Sequence, residues 1–222
     1  MAGRVWRRDC QCVFPGGLQD CDELLIRSSR VPFCEECLGS FKAPSAKKCV
    51  VCGQSLEFEW MSSREGEPLA CRACQQKTYA FERARSYGIY DGPLVRAILL
   101  LKWERMEPLG VWFAQRLAEL VRQEIGLLAA DVVAPVPLHK ERERERGYNQ
   151  AGLISKPLAR ELRLPHQAVL LVRTRPRPNK QILSLEERWE SVRGAFATRP
   201  GSQVDNKRVL LVDDVMTTGA DA

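Results

Sequence analysis

Residues 209–220 read Val-Leu-Leu-Val-Asp-Asp-Val-Met-Thr-Thr-Gly-Ala, an apolar run that meets two adjacent carboxylates and then a small-residue turn bearing two hydroxyls. A buried strand there carries Asp213 and Asp214 out at its carboxyl end, the edge at which open α/β sheets bind ligands. The carboxylates can accept hydrogen bonds from sugar hydroxyls or hold a hydrated Mg²⁺, while Thr217, Thr218, Gly219 and Ala220 offer hydroxyls and backbone N–H groups to a phosphate. That order suits a sugar phosphate. A lone Asp-Asp pair before a glycine would read as ordinary turn chemistry, but strand, acids, threonines and glycine in series read as a ligand site. The sequence ends at Ala222, before the helix whose positive end would face the phosphate, so the site is expected to be incomplete on that side.

A second constellation lies near the other end. Cys49-Val-Val-Cys52-Gly53 and Cys71-Arg-Ala-Cys74 are two CxxC knuckles at the spacing of a four-thiolate zinc site. Gly53 permits the turn that aims amides back at the sulfurs. Such a site is structural, because four thiolates leave no open position for water or substrate. Cys34 and Cys37 form a third knuckle whose upstream partners are Cys21, Cys10 and Cys12 in irregular order, with Leu24 where a matching cysteine would stand. A weaker second metal site at Cys21, Cys34 and Cys37 and a metal-free first ribbon both remain open. Nine cysteines in a chain with no export signal argue for metal rather than disulfides and for a cytoplasmic protein, and no apolar run is long enough to insert in a membrane.

The third stretch is basic. Residues 136–200 hold 14 Lys+Arg against 7 Asp+Glu, whereas residues 1–80 are nearly balanced, so the net charge of +6 is concentrated in the middle of the chain. That surplus suits a polyanion, either pyrophosphate or nucleic acid. Val136-Pro-Leu-His139 leads into Lys-Glu-Arg-Glu-Arg-Glu-Arg-Gly-Tyr-Asn-Gln150. By itself this alternation reads as a solvated, self-paired surface. At the end of a strand it reads differently: Arg142 and Arg146, four apart on one helix face, are placed to grip a diphosphate. His139 is either an acid–base group or a structural residue at a strand end.

Elements must bring these stretches together. All nine cysteines fall within residues 1–79, a loop-rich module, and residues 80–222 alternate strand and helix patterns. Strands are expected at 85–90, 131–136, 168–173 and 208–212, with helical spacing at 94–123 split into two helices near Pro108 and Gly110. Another helix covers 152–162, where Pro157 predicts a kink or a restart capped by Ser155. Strands alternating with helices imply an α/β fold with a parallel sheet.

The run at 209–220 resembles the PRPP-binding motif of type I phosphoribosyltransferases. Taken with the cysteine knuckles, Tyr90-Asp-Gly-Pro-Leu94 leading to Lys102, the Pro-Leu-His to Arg-Gly-Tyr-Asn-Gln segment, Gln181 to Arg188, and Val192-Arg-Gly-Ala-Phe196, the chain resembles the ComF family of competence-related proteins, which includes the GntX-type proteins. It departs from that pattern at Ser191, where the family has Asn, and at Asp221, where it has Thr. The resemblance implies a double zinc ribbon on a phosphoribosyltransferase-like domain truncated at its carboxyl end, binding PRPP with Mg²⁺, and a cytoplasmic part in DNA uptake during natural transformation. Two functions fit: a phosphoribosyltransferase whose Asp213 and Asp214 serve the reacting ribose, or a non-catalytic zinc-ribbon adaptor that holds single-stranded DNA and docks DNA-uptake proteins.

Overall fold

The computed structural model describes residues 31, 33, 35–56, 69–76, 79–124, 129–176, 185–202 and 204–216. Thr217 to Ala220 of the expected phosphate turn, and Cys21 and Cys34 of the weaker metal set, lie outside them. The chain forms two compact units, Met1–Ser40 and Phe41–Ala222. The first contains the short helix α1 (Glu35–Gly39), which carries Cys37. All else described here belongs to the second.

In that unit α2 (Arg72–Gln75) begins directly after Cys71. Helix α3 (Gly92–Trp103) starts where Asp91 accepts a hydrogen bond from Gly92 N and Pro93 fills the first turn. Helix α4 (Glu107–Gln123) follows with Pro108 in its own first turn. The expected pair of helices is present. Gly110, however, sits inside α4 rather than at the break.

Strand β1 (Val132–Pro135) is buried along its whole length and pairs in parallel with β4 (Val209–Val212), so that Pro135 lies opposite Val212 and both strands end at one edge. On the other side of β1, Val133 accepts from Gln167 N at 2.9 Å and donates to Pro165 O at 2.9 Å, which adds a short parallel bridge. Between β1 and this bridge run α5 (Lys140–Arg146) and α6 (Gln150–Leu162). The core is three layers deep in sequence terms: Leu109, Phe113, Ala114 and Ala118 of α4 face Ala151, Ile154, Leu158 and Ala159 of α6, which cover Val132, Val133 and Ala134. Recurrence at one helical face is what permits this sandwich. Strand β2 (Leu171–Arg173), helix α7 (Leu185–Val192) and strand β3 (Phe196–Thr198) complete the order. Among the described residues no helix is long and apolar enough to cross a membrane.

Three expectations need correction. Residues 85–90 form no strand; the chain enters this segment against the first cysteine knuckle, with Ala84 N donating to Val51 O at 2.8 Å and Arg85 to the Val50 and Val51 carbonyls. Strand β2 pairs antiparallel with β3, an element absent from the sequence reading, and not with the parallel pair. Ser155 caps nothing. Helix α6 is continuous through Pro157, and Ser155 is fully buried in it with Oγ 2.9 Å from His166 Nε2.

Helix α4 packs closely beside the proline. Pro157 has no N–H to give the carbonyl of Leu153 four residues back. That carbonyl faces Gly110, where an added Cβ would stand 2.6 Å from the Leu153 oxygen. Helix α4 thus closes on α6 where its own side chain is missing. Gly110→Ala would gain about 1 kcal/mol of helix propensity in open solvent. Here it is expected to lower stability by about 2 kcal/mol, since the helices must separate. Urea unfolding gives the sign directly, and a stabilised variant would contradict this packing.

Candidate functional site

The first centre is the cysteine cluster. Residues 47–56 fold as a tight hairpin, with Cys49 N donating to Gln54 O and Leu56 N to Lys47 O, both at 2.9 Å. Gly53 turns it at φ +72°, and a Cβ there would meet Ala84 O at 2.8 Å, so both the conformation and the space require glycine. Val50 N reaches Leu69 O at 2.8 Å, which brings in the second knuckle. One sulfur atom from each of Cys49, Cys52, Cys71 and Cys74 lies within 4.8 Å of the other three.

Four sulfurs at this separation can hold a metal ion. A tetrahedron with Zn–S bonds of about 2.3 Å has S···S edges of about 3.8 Å, and Cys52 Sγ to Cys71 Sγ is 3.7 Å. The electrostatics favour a cation. Burial opposes ionisation of Cys49, but N–H groups of Cys71, Cys52 and Val51 converge on its sulfur and bring its pKa down to about 6. Burial pushes Cys52 up to about 11, and burial with the neighbouring sulfurs raises Cys74 as well. The Cys49 thiolate forms readily while Cys52 and Cys74 resist, so gathering the four sulfurs as thiolates calls for a positive charge among them.

The second centre is the carboxyl edge of β1 and β4. Because Val136 N donates to Val212 O at 2.8 Å, the segment leading to α5 and the Asp213-Asp214 pair leave the sheet side by side. Asp214 N donates to Asp213 Oδ1 at 2.8 Å. The Asp214 side chain is 5% exposed, and Lys102 Nζ of α3 lies 2.8 Å from its Oδ2. His139 precedes α5 and bridges to Arg173, with Nδ1 3.5 Å from Glu141 Oε2. Arg142 is exposed on α5. Arg146 turns inward: its Nη1 donates to Gln150 Oε1 at 2.7 Å and its guanidinium lies 4.7 Å from the centre of the Trp103 ring.

The same edge is tied to α6. Asn149 accepts from Ala151 N at 3.0 Å to cap the helix, while its Nδ2 donates to Val136 O at 2.9 Å. One residue earlier, the Tyr148 hydroxyl donates to Leu101 O at 3.0 Å and accepts from Arg105 N at 2.9 Å. The Tyr-Asn pair of the sequence motif therefore pins the turn after α5 to both the sheet and the end of α3.

No protein-family model matches the chain. It is 32% identical over 155 residues to the DNA utilization protein YhgH of Escherichia coli strain K12, spanning 68% of this chain and 67% of that one. It is 28% identical over 195 residues to the competence protein F of Haemophilus influenzae, spanning 84% and 79% of the two chains. A 91-residue stretch is 36% identical to the competence protein ComFC of Bacillus subtilis, spanning 40% of this chain and 34% of that one. The chain belongs to the ComF family.

Three side chains of this ComF-family chain escaped the sequence reading. Lys102 was legible only as a family position, and Trp103 beside it carried no signal except that adjacency. Arg85 opens the segment 85–90, whose composition predicts a strand. Its guanidinium, 5% exposed, donates to the carbonyls of Val50, Val51 and Ala84 and pairs with Glu124 at the end of α4. Lys48 joins the same carboxylate at 2.7 Å. This ion cluster binds the first knuckle to the helical core.

A pH dependence follows. Burial acts to raise Glu124, but Lys48 and Arg85 outweigh it and hold its carboxyl below the ordinary value. A depressed carboxylate stabilises the fold above its unfolded pKa of about 4.3, and that stabilisation disappears as pH falls through the lower folded value. Glu124→Gln is expected to cost about 3 kcal/mol at pH 7 by stranding a buried Arg85. The deficit should shrink below about pH 4. Urea unfolding of both proteins across that range checks it; a deficit independent of pH would contradict the ion cluster.

Proposed function

We propose that this ComF-family protein binds a ribose phosphate of the PRPP class with Mg²⁺ at the carboxyl edge of β1 and β4, holds a structural zinc at Cys49, Cys52, Cys71 and Cys74, and serves the handling of incoming DNA. One observation carries the ligand reading: the parallel register that sets Pro135 opposite Val212 brings the Asp213-Asp214 pair and the lead into α5 to one edge. The similarity to a DNA utilization protein and two competence proteins supports the biological setting.

In this reading Asp213 and Asp214 accept hydrogen bonds from the ribose hydroxyls and favour the positive charge that develops at the anomeric carbon as pyrophosphate leaves. Mg²⁺ would be carried in with the diphosphate and neutralise it. Thr217, Thr218, Gly219 and Ala220 take the 5′-phosphate, and Arg142, exposed on α5, attends the departing pyrophosphate, whereas Arg146, expected to share that task, is held on Gln150 and Trp103 and would have to leave them to do so. In a transfer, the acceptor nitrogen or oxygen forms a bond to the anomeric carbon as its bond to the pyrophosphate oxygen breaks.

Release of pyrophosphate from Mg²⁺·PRPP, measured across nucleobase acceptors, tests turnover. Release that depends on an acceptor establishes a transferase. Salt-sensitive binding of single-stranded DNA without PRPP turnover supports the adaptor reading instead.

A further inference from the structure

We infer that Trp103 is a stacking platform for an unpaired nucleobase, set beside the ribose-phosphate edge. Trp103 ends α3 and is 56% exposed, the most exposed large apolar side chain among the described residues. Exposure of a single apolar side chain is ordinary; what distinguishes Trp103 is the cation fixed on its ring. The Arg146 guanidinium lies 4.7 Å from the ring centre and is held by Gln150, so it occupies one face of the indole. The exposure leaves the other face open.

Rigidity supports the assignment. Arg105 lies 5.7 Å from the centre of the Tyr148 ring, so residues 103 and 105 of one turn each make a cation–aromatic contact with residues 146 and 148 of the other. The Tyr148 hydroxyl clamps the same turns through Leu101 and Arg105. Arg105 is held at φ 47°, a left-handed conformation that a non-glycine residue keeps only under such restraint. The ring is therefore presented ready for contact, with little ordering left to do on binding.

The surroundings choose the ligand chemistry. Arg146 covers Trp103 and Arg105 covers Tyr148 on the same two turns, so two aromatic rings stand there, each backed by a guanidinium, rather than an apolar patch fit for a protein partner. An exposed ring backed by a guanidinium matches a base attached to phosphate. Lys102, the preceding residue, holds Asp214. Its position relative to the sugar rests on the ribose-phosphate reading; the stacking itself does not.

The test uses the full chain and a fluorescently labelled thymidine dodecamer, with an abasic dodecamer of equal charge as competitor. The wild type is expected to prefer the thymidine strand about tenfold. Trp103→Leu, which keeps apolar bulk without the π face, is expected to lose that preference, and Trp103→Phe to regain most of it. Melting curves show that each variant is folded. A Trp103→Leu protein that keeps the preference, or a wild type that shows none, overturns the inference.

Thymidine 5′-monophosphate as a second competitor separates the sources. Displacement of the strand at comparable concentration assigns a free nucleotide, and displacement only by strands assigns single-stranded DNA; either supports a base on Trp103. Mg²⁺·PRPP is titrated into the same wild-type protein. PRPP binding without base preference overturns the platform alone, and base preference without PRPP binding overturns the ribose-phosphate reading alone.

Discussion

Cys49→Ser with Cys71→Ser is expected to reduce the zinc content from about one equivalent to near zero and to loosen the first knuckle from the end of α4. Two of four sulfurs vanish, one from each knuckle, and two thiolates cannot complete the tetrahedron. The cost extends beyond the metal. Arg85 finds its acceptors on Val50 and Val51, inside the first knuckle, and Cys71 N donates to Cys49 Sγ at 3.3 Å. When the knuckle opens, a buried guanidinium loses its carbonyls and Glu124 loses the order of its partner.

Structural zinc contributes about 10 kcal/mol or more of apparent binding free energy to small domains that fold around it. Here the helices and strands keep their own core, so the variant should retain a folded remainder with a lower melting temperature and faster proteolysis before residue 91. Metal analysis by mass spectrometry and limited proteolysis check both parts. A double variant with wild-type zinc content would contradict the cluster as the metal centre.

The second large effect concerns Asp213 and Asp214. Asparagine at both positions keeps the shape and removes the charge. A hydrogen bond to a charged group contributes about 1.5–3 kcal/mol, so two lost carboxylates should weaken ribose-phosphate binding at least about 100-fold. The structure adds a complication that the sequence did not reveal. Asp214 already has Lys102 at 2.8 Å, so Asp214→Asn also strands a largely buried ammonium. The single Asp213→Asn variant separates these effects, because Asp213 bonds to the neighbouring backbone and does not carry the Lys102 pair.

What could be read in the sequence was chemistry at short range. The two knuckles are a spacing, and the structure closes Cys49, Cys52, Cys71 and Cys74 into one cluster. The strands at 131–136 and 208–212 announce themselves as apolar runs bounded by turns and acids, and they pair in parallel. Asp91 and Pro93 mark the start of α3 as capping chemistry says they should. Long-range partners were not legible. Residues 85–90 have the composition of a strand, yet the carbonyls of the knuckle take Arg85. The proline in α6 reads as a break, yet the helix is continuous, and nothing local foretells that Gly110 packs against the carbonyl the proline frees. Trp103 has no periodicity to betray it; its meaning lies in Arg146, which belongs to another helix.

The most direct measurement is a calorimetric titration of Mg²⁺·PRPP into the wild-type chain and into the Asp213→Asn, Asp214→Asn double variant, with melting curves to show that both are folded. Saturable one-to-one binding by the wild type, weakened at least about 100-fold in the variant, is the predicted result. Equal affinity in the two proteins, or no binding by a folded wild type, would contradict the placement of a ribose phosphate at the carboxyl edge of β1 and β4.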